Sequence, residues 1–192
     1  KSMEGTYKDG KRDGLYTIWY ENGQKERELT FKDGEKDGLR TTWYENGQKY
    51  HEETYKDGKE DGLVIQWYEN GQKQLEGTYK DGKLDGLRTG WYENGQKSSE
   101  RTYKDGKEDG LYTSWNENGQ VVFEKVFDLG ELVNKKEYYY YSTGEVKIIN
   151  INDEIITHYF VEGKIEKETK NGKIWNGLVT YWYENGQKEY EG

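Results

Sequence analysis

The sequence predicts an all-β fold, an elongated single-sheet solenoid of about eight tandem antiparallel β-hairpins with almost no helix. A unit of 24 residues recurs along the chain, and a fixed period of this length is typical of repeat architectures. Within each unit, alternating segments are separated by Asn-Gly and Asp-Gly steps, which favour hairpins. The chain has 25 glycines and no proline, as suits a sheet with many tight turns and uninterrupted strands.

The repeat is defined by tryptophans spaced 24 residues apart, namely Trp19, Trp43, Trp67, Trp91 and Trp115. Each unit approximates K-x-x-E-G-T-Y-K-D-G-K-x-D-G-L-x-T-x-W-Y-E-N-G-Q. We expect one continuous repeat domain, with five regular repeats in 1–119, degenerate repeats in 120–174 and a final regular repeat in 175–192. The two ends fall near the same phase of the repeat, so we expect the chain to be part of a longer array.

Two different connections are expected in each hairpin. Asn22-Gly23 is predicted to form a two-residue type I′ turn, in which both central residues have positive φ. The segment with Asp9-Gly10 and Asp13-Gly14 is predicted to be a longer connection. If Asn-Gly is a two-residue turn, Trp19 lies opposite Glu26, and Thr17 lies opposite Glu28 two residues further along.

Alternation of side chains places Leu15, Thr17 and Trp19 on one face of the sheet and Tyr16 on the other. The first set is nearly constant between repeats, and we therefore assign it a structural role together with the turn glycines. Sixteen strands at ~4.8 Å would form a sheet roughly 75 Å long. The residues assigned a structural role are Leu15, Trp19, Gly23, Leu39, Trp43, Gly47, Leu63, Trp67, Gly71, Leu87, Trp91, Gly95, Leu111, Trp115, Gly119 and Trp182.

Composition limits the classes of function. Only 31% of residues are hydrophobic and 35% are charged, which excludes a thick globular core, while 16% aromatic residues argue against disorder. The net charge of −9 disfavours nucleic acid and anionic membrane lipid as partners. The absence of cysteine excludes disulfides and thiolate metal sites, and no apolar run is long enough for a transmembrane helix.

The segment from Gly5 to Leu15, followed by Trp19-Tyr20-Glu21-Asn22-Gly23, resembles the MORN repeat. It is most similar to the bacterial MORN variant of the YwqK-type antitoxin family. The resemblance implies a rod of hairpins that serves as a protein-binding scaffold, and phospholipid binding has been proposed for some such arrays. The antitoxin label implies neutralisation of a toxin by direct binding.

No residue pattern indicates an enzyme, a cofactor or a metal site. His51 and His158 are the only histidines, and His51 occupies a variable strand position without the placed partners that a general base needs. Asp9 and Asp13 recur in loops, but lysines lie among them and no closing glutamate follows, so turn chemistry explains them better than calcium does.

The positions that change from repeat to repeat are the candidate partner-binding residues. Tyrosine and arginine among them match the residue types enriched in binding hot spots, although neutral drift on a solvated face also explains such variation. A second candidate is the apolar start of the degenerate segment, where a better-packed or bent stretch is the alternative interpretation. The candidates are Tyr16, Arg40, Val64, Arg88, Tyr112, Arg27, Tyr50, His51, Phe123 and Phe127.

The predicted function is therefore a non-catalytic repeat scaffold that mediates protein–protein interaction through its variable face. One alternative is an antitoxin or immunity-type protein that neutralises a partner toxin. Another is an exported surface module that binds glycan, cell wall or a host-cell ligand through its tryptophans. Self-association through the edge strands stays open. We expect a bacterial source, and an exported or cell-surface location is slightly favoured over a cytoplasmic one.

Overall fold

The computed structural model describes residues 2–140, 146–151, 157–161, 164–170, 173–174, 180–182 and 188–191, with side chains described for residues 2–138. Every element in these ranges is a β-strand. The strands are β1 (Ser2–Lys8), β2 (Lys11–Trp19), β3 (Lys25–Lys32), β4 (Glu35–Trp43), β5 (Lys49–Lys56), β6 (Lys59–Trp67), β7 (Lys73–Lys80), β8 (Lys83–Trp91), β9 (Lys97–Lys104), β10 (Lys107–Trp115), β11 (Val121–Asp128), β12 (Glu131–Tyr140), β13 (Val146–Ile151), β14 (Thr157–Val161), β15 (Lys164–Lys170), β16 (Lys173–Ile174), β17 (Thr180–Trp182) and β18 (Lys188–Glu191).

The strands pair in chain order. Among the described residues, β1 to β13 form one antiparallel sheet, β14 to β16 form a second and β17 with β18 a third. The prediction of an all-β fold with hairpin repeats in a single antiparallel sheet is confirmed over β1 to β13, and the described strands after β13 pair in two smaller sheets. In β17 and β18, Trp182 lies opposite Lys188, the same step that brings Trp19 opposite Lys25 in the first repeat.

The two-residue hairpin turn lies at Asp9-Gly10 and not at Asn22-Gly23. Lys8 pairs with Lys11 across it, and both central residues have positive φ, 50° for Asp9 and 76° for Gly10. These are the features of a type I′ turn. The same pair of positive φ values recurs at the equivalent Asp-Gly steps, which begin at Asp33, Asp57, Asp81 and Asp105.

The Asn-Gly connection is a three-residue turn. The amide of Gly23 donates to the Tyr20 carbonyl at 3.1 Å, and the Tyr20 amide donates to the Gln24 carbonyl at 2.8 Å. Gly23 has a φ of 84°, whereas Asn22 is not among the residues with positive φ. A type I turn followed by a left-handed glycine has this geometry, so the type I′ prediction at Asn22-Gly23 was wrong.

The three-residue turn also changes the predicted register near tryptophan. Thr17 lies opposite Glu28, as predicted, but Trp19 lies opposite Lys25 and not Glu26. A register shift between Ile18 and Trp19 accommodates the extra residue. The same shift occurs beside the later tryptophans of the regular repeats.

The second Asp-Gly step lies inside a strand and connects one repeat to the next. Asp13 belongs to β2, and its carboxylate accepts a hydrogen bond from the Asp33 amide at 3.3 Å. The Gly34 amide donates to the Arg12 carbonyl at 2.9 Å. The prediction that Asp13-Gly14 extends the turn was therefore wrong, because its recurrence reflects bonding to the neighbouring repeat.

Tyrosine hydroxyls form a second ladder between repeats. Tyr20 donates to the Trp43 carbonyl at 2.7 Å, and the next three repeats show the same bond at the same distance. In the fifth repeat Asn116 takes the tyrosine position and bonds instead to Gln120 in its own turn. The ladder thus ends where the regular repeats end.

Candidate protein-interaction face

The predicted partner-binding residues share one face of the sheet. Tyr16 lies opposite Leu29, and Ile18 lies opposite Arg27, which places the variable slots of β2 and β3 side by side. The same pairing recurs in later repeats. We call this surface the variable face. Tyr50 lies at the register shift between Thr42 and Trp43, and its hydroxyl accepts a hydrogen bond from Gln66, which lies opposite His51 on this face. By strand alternation and cross-strand pairing, the variable face also carries Tyr16, Arg27, Arg40, His51, Val64, Arg88, Tyr112, Phe123 and Phe127.

A single line of directly opposed residues crosses the variable face, and we call it the central row. Its members alternate between the slot after leucine and a second slot 13 residues later, which also varies widely. The second slot was not among the predicted candidates, although its variation is visible in the sequence. The central row consists of Gly5, Tyr16, Leu29, Arg40, Glu53, Val64, Gly77, Arg88, Arg101, Tyr112, Lys125 and Lys135.

The first part of the central row is a small apolar cluster. Tyr16 is 9% exposed and packs with Leu29 and Phe31, and the rings of Tyr16 and Phe31 meet edge to face at 6.1 Å. Val64, further along the row, is 6% exposed. Tyr16 and Val64 are thus buried although they occupy variable slots, because in a single-layer sheet the larger variable side chains bury one another.

The middle of the central row holds an ion pair. Arg40 lies opposite Glu53 and its guanidinium pairs with the carboxylate, of which the side chain is only 3% exposed. The Tyr55 hydroxyl donates to the same carboxylate at 3.0 Å. Burial raises the pKa of the nearby Glu60 carboxyl, and the negative charge of Glu53 raises it further. The Glu53 carboxylate therefore binds both the Arg40 guanidinium of the neighbouring strand and the Tyr55 hydroxyl.

The last part of the central row is basic and aromatic. Arg88 lies opposite Arg101. Arg101 donates to the Tyr112 hydroxyl at 2.6 Å and lies 3.9 Å from the centre of that ring. The Lys125 ammonium lies 4.5 Å from the ring centre of Phe123, and the rings of Tyr112 and Phe123 meet edge to face at 4.8 Å. Cationic side chains thus pack against aromatic rings on this part of the surface.

Beside the central row, Tyr50 and His51 form a more exposed group. Tyr50 is 40% exposed, its ring lies 5.0 Å from that of Tyr44, and its hydroxyl accepts a bond from Gln66 at 3.2 Å. Burial lowers the pKa of His51, and the positive charge of Arg40 acts in the same direction, against the opposing effect of Glu53. Tyr50 is therefore an exposed aromatic side chain whose position is fixed by Gln66 and Tyr44.

The opposite face carries the constant residues. The Lys25 ammonium pairs with Glu28 and lies 5.6 Å from the centre of the Trp43 ring in the next repeat, and the same contact recurs three more times. Leu15 and its equivalents Leu39, Leu63, Leu87 and Leu111 are between 46% and 51% exposed. The tryptophans thus lie near a lysine of the preceding repeat, whereas the leucines are about half exposed.

Within the part of the chain whose side chains are described, no group of three or more histidine, cysteine, aspartate or glutamate residues could hold a metal ion. No helix in the described residues is long and apolar enough to cross a membrane. His158 lies outside the residues with described side chains. Asp13, considered above as a calcium ligand, directs its carboxylate at a backbone amide of the next repeat.

Comparison with known proteins agrees with this architecture. No curated protein sequence matched the chain. A family model described as a MORN repeat variant matches residues 12–33, 36–57, 60–81, 84–105, 108–128 and 175–192. Four of the six matches begin in an even-numbered strand and end at the aspartate of the following Asp-Gly turn, and a fifth ends at Asp128, one residue before the equivalent turn. The chain therefore belongs to the MORN repeat family, in the form of its repeat variant.

Proposed function

We propose that the protein is a non-catalytic scaffold that binds a protein partner through its variable face. Proteins built from MORN repeats are repeat scaffolds of a generally non-enzymatic type, and they often bind proteins or membranes. The observation that carries the proposal is that constant and variable positions of the repeat have different places in the structure. Constant residues such as Asp13 and Tyr20 bond one repeat to the next, whereas the variable slots lie together on one face.

Several residues of the variable face have the properties of binding hot spots. Tyr50 is exposed, and Arg88, Tyr112 and Phe123 are half-buried. Aromatic residues and arginine dominate the energetics of many interfaces because they combine large contact area with directed polar groups. Tyr16 and Val64 are too buried to supply much of that area, so the proposal rests on the more exposed members.

The experiment that tests the proposal compares the two faces of the same sheet. The variable-face variant replaces four residues by serine, namely Tyr50, Arg88, Tyr112 and Phe123. The constant-face control replaces four half-exposed leucines by serine, namely Leu15, Leu39, Leu63 and Leu87. Each immobilised protein is used to capture proteins from a lysate of the source organism, and circular dichroism confirms that each one is folded.

A protein captured by the wild type and the constant-face control, but not by the variable-face variant, would support the proposal. Identical capture by all three proteins, or loss in the constant-face control alone, would contradict it. Neutralisation of a toxin is a narrower form of the same function. It predicts that the captured protein inhibits growth and that co-expression with the wild type, but not with the variable-face variant, restores growth.

Glycan binding remains the second candidate because of the periodic tryptophans. A sugar that stacks on Trp43 must displace the Lys25 ammonium from its place near the ring, and the same holds in three further repeats. Titration with soluble glucans, peptidoglycan fragments and choline, followed by tryptophan fluorescence, tests this. A saturable change that survives in the variable-face variant would favour glycan over protein.

A further inference from the structure

We propose that the part of the central row from β8 to β12 binds an extended, acidic segment of a protein partner. This inference rests on the proposed function and names the chemistry of the partner. The segment of the row is called the basic row, and its members are Arg88, Arg101, Tyr112, Lys125 and Lys135.

The basic row contains two like-charge pairs on directly opposed positions. Arg88 faces Arg101, and Lys125 faces Lys135. Like charges directly opposite each other destabilise a sheet. Four cations therefore lie on one row of a chain whose net charge is −9, which indicates that the local charge serves something other than the stability of the fold.

The same two positions 48 residues earlier show what the fold itself prefers. There, Arg40 occupies the slot of Arg88, and Glu53 occupies the slot of Arg101. Arg40 and Glu53 form an ion pair within the sheet. The later repeat keeps the arginine, as Arg88, but has Arg101 in place of the glutamate. The pair therefore changes from an ion pair to two positive charges, while the pairing of the strands stays the same.

Internal carboxylates neutralise only part of the basic row. Arg101 pairs with Glu108 at 3.2 Å, and Lys135 pairs with Glu137 at 2.7 Å. Among the residues with described side chains, neither Arg88 nor Lys125 has an ion-pair partner within 4.0 Å. The side chains of Arg101 and Lys135 remain 29% and 32% exposed, so incoming carboxylates can reach the row.

The spacing of the basic row fits an extended peptide. Neighbouring strands lie about 4.8 Å apart, which places the four cations at roughly 0, 5, 14 and 19 Å along the row. Alternate residues of an extended peptide lie on one side, about 6.8 Å apart, so four of them fall at roughly 0, 7, 14 and 20 Å. Tyr112 lies in the gap between Arg101 and Lys125, and the Arg101 guanidinium lies 3.9 Å from the centre of its ring.

The charge of the whole chain favours a short acidic segment over a continuous polyanion. A nucleic acid or an anionic membrane carries its negative charge beyond the basic row, where it meets a protein of net charge −9. Such surfaces repel each other over distances set by the ionic strength. A peptide can confine its carboxylates to the seven or so residues that lie over the row.

The test uses the full chain and a fluorescently labelled peptide of nine residues in which Glu and Thr alternate. A peptide with Gln in place of Glu is the uncharged control, and single-stranded DNA and phosphatidylserine vesicles are the competing polyanions. The variant is Arg88→Glu, which reverses one charge of the row. The matched control is Lys80→Glu, which also replaces a like-charge cross-strand pair, that of Lys80 with Lys83, but at an exposed turn.

We expect the Glu peptide to bind in a salt-dependent manner and the Gln peptide not to bind. Arg88→Glu should weaken binding at least tenfold, whereas Lys80→Glu should change it by less than twofold. Both variants should unfold at or above the temperature of the wild type, because each exchanges a repulsive pair for an attractive one.

Absence of binding by the Glu peptide, equal losses in the two variants, or tighter binding of DNA or vesicles through Arg88 would each overturn the inference. Failure of the Glu peptide is distinguishable from failure of the proposed function. If the variable-face variant still loses its captured protein while the Glu peptide does not bind, the function stands and only the acidic chemistry of the partner is rejected.

Discussion

The two equivalent arginines of the central row allow one stability prediction to be worked out with an internal control. Arg40→Met removes the ion-pair partner of Glu53, a side chain only 3% exposed. Removing one member of a buried pair costs roughly 3–5 kcal/mol, because the remaining charge is left without compensation. Arg40 is itself 24% exposed, and Tyr55 still donates to Glu53, so we expect a loss of about 2–3 kcal/mol.

Arg88→Met makes the same chemical change at the same position of a later repeat. Arg88 faces Arg101, so its removal relieves a repulsion, and we expect no loss or a gain of up to about 0.5 kcal/mol. Urea unfolding at pH 7, followed by circular dichroism, measures both values. A loss of 2–3 kcal/mol corresponds to a fall of about 5–10 °C in the melting temperature. Equal losses in the two variants would refute the reasoning, because the shared loss of packing would then outweigh the difference in charge.

Three further predictions concern the turns, the ladder between repeats and a titrating side chain. Tyr68→Phe removes the hydrogen bond to the Trp91 carbonyl and should cost about 1 kcal/mol in urea unfolding; an unchanged midpoint would show that the ladder adds nothing. Asp57→Gly should change the free energy of unfolding by less than about 0.5 kcal/mol, because Asp57 already has a φ of 48°, which glycine adopts without strain. Asn46→Gly should cost about 1–2 kcal/mol, because it removes the side-chain oxygen that accepts a hydrogen bond from the Gln48 amide and relieves no positive φ. Because the pKa of His51 is lowered from its ordinary value of 6.5, the unfolded chain binds more protons than the folded chain just below pH 6.5. The free energy of unfolding should therefore rise with pH up to about 6.5, and His51→Gln should flatten that rise. An identical pH profile in the variant would contradict the assignment.

Much of the architecture could be predicted from the sequence because the same pattern of residues recurs in each repeat. The spacing of Trp19 and its equivalents locates every second strand end, and side-chain alternation assigns residues to faces. The pairing of Thr17 with Glu28 follows from these two facts alone. Each of these inferences depends only on backbone geometry, which is the same in every unit.

The turn assignment failed because both Asn-Gly and Asp-Gly are hairpin signals and one unit contains both. Asn-Gly is a strong type I′ signal in isolation. Here the Asn22 side chain accepts a hydrogen bond from the Gln24 amide at 2.9 Å, which is compatible with negative φ at Asn22 and a three-residue turn. The choice between the two signals depends on that local bond and on contacts between repeats, neither of which the pattern of residue types contains.

The burial of Tyr16 could not be predicted from variation alone. Variation usually indicates exposure, but a single-layer sheet has no second layer to bury either face. Its larger side chains therefore cover one another wherever two of them meet, as Tyr16 and Phe31 do. Exposure on this face depends on the neighbours present in each repeat, so identical slots become apolar at Tyr16, paired at Arg40 and positively charged at Arg88.

The same arrangement explains how the variable face can change without loss of the fold. The bonds between repeats are made by the backbone, by Asp13 and Tyr20 and by their equivalents, none of which belongs to the central row. A substitution in that row therefore alters stability only through its immediate cross-strand neighbours, as nearest-neighbour behaviour in repeat proteins implies. The replacement of a carboxylate at the position of Glu53 by a guanidinium at Arg101 is such a change. It lowers the stability only where Arg101 meets its cross-strand neighbour, whereas the positive charge that it adds to the surface can attract a partner that approaches the sheet.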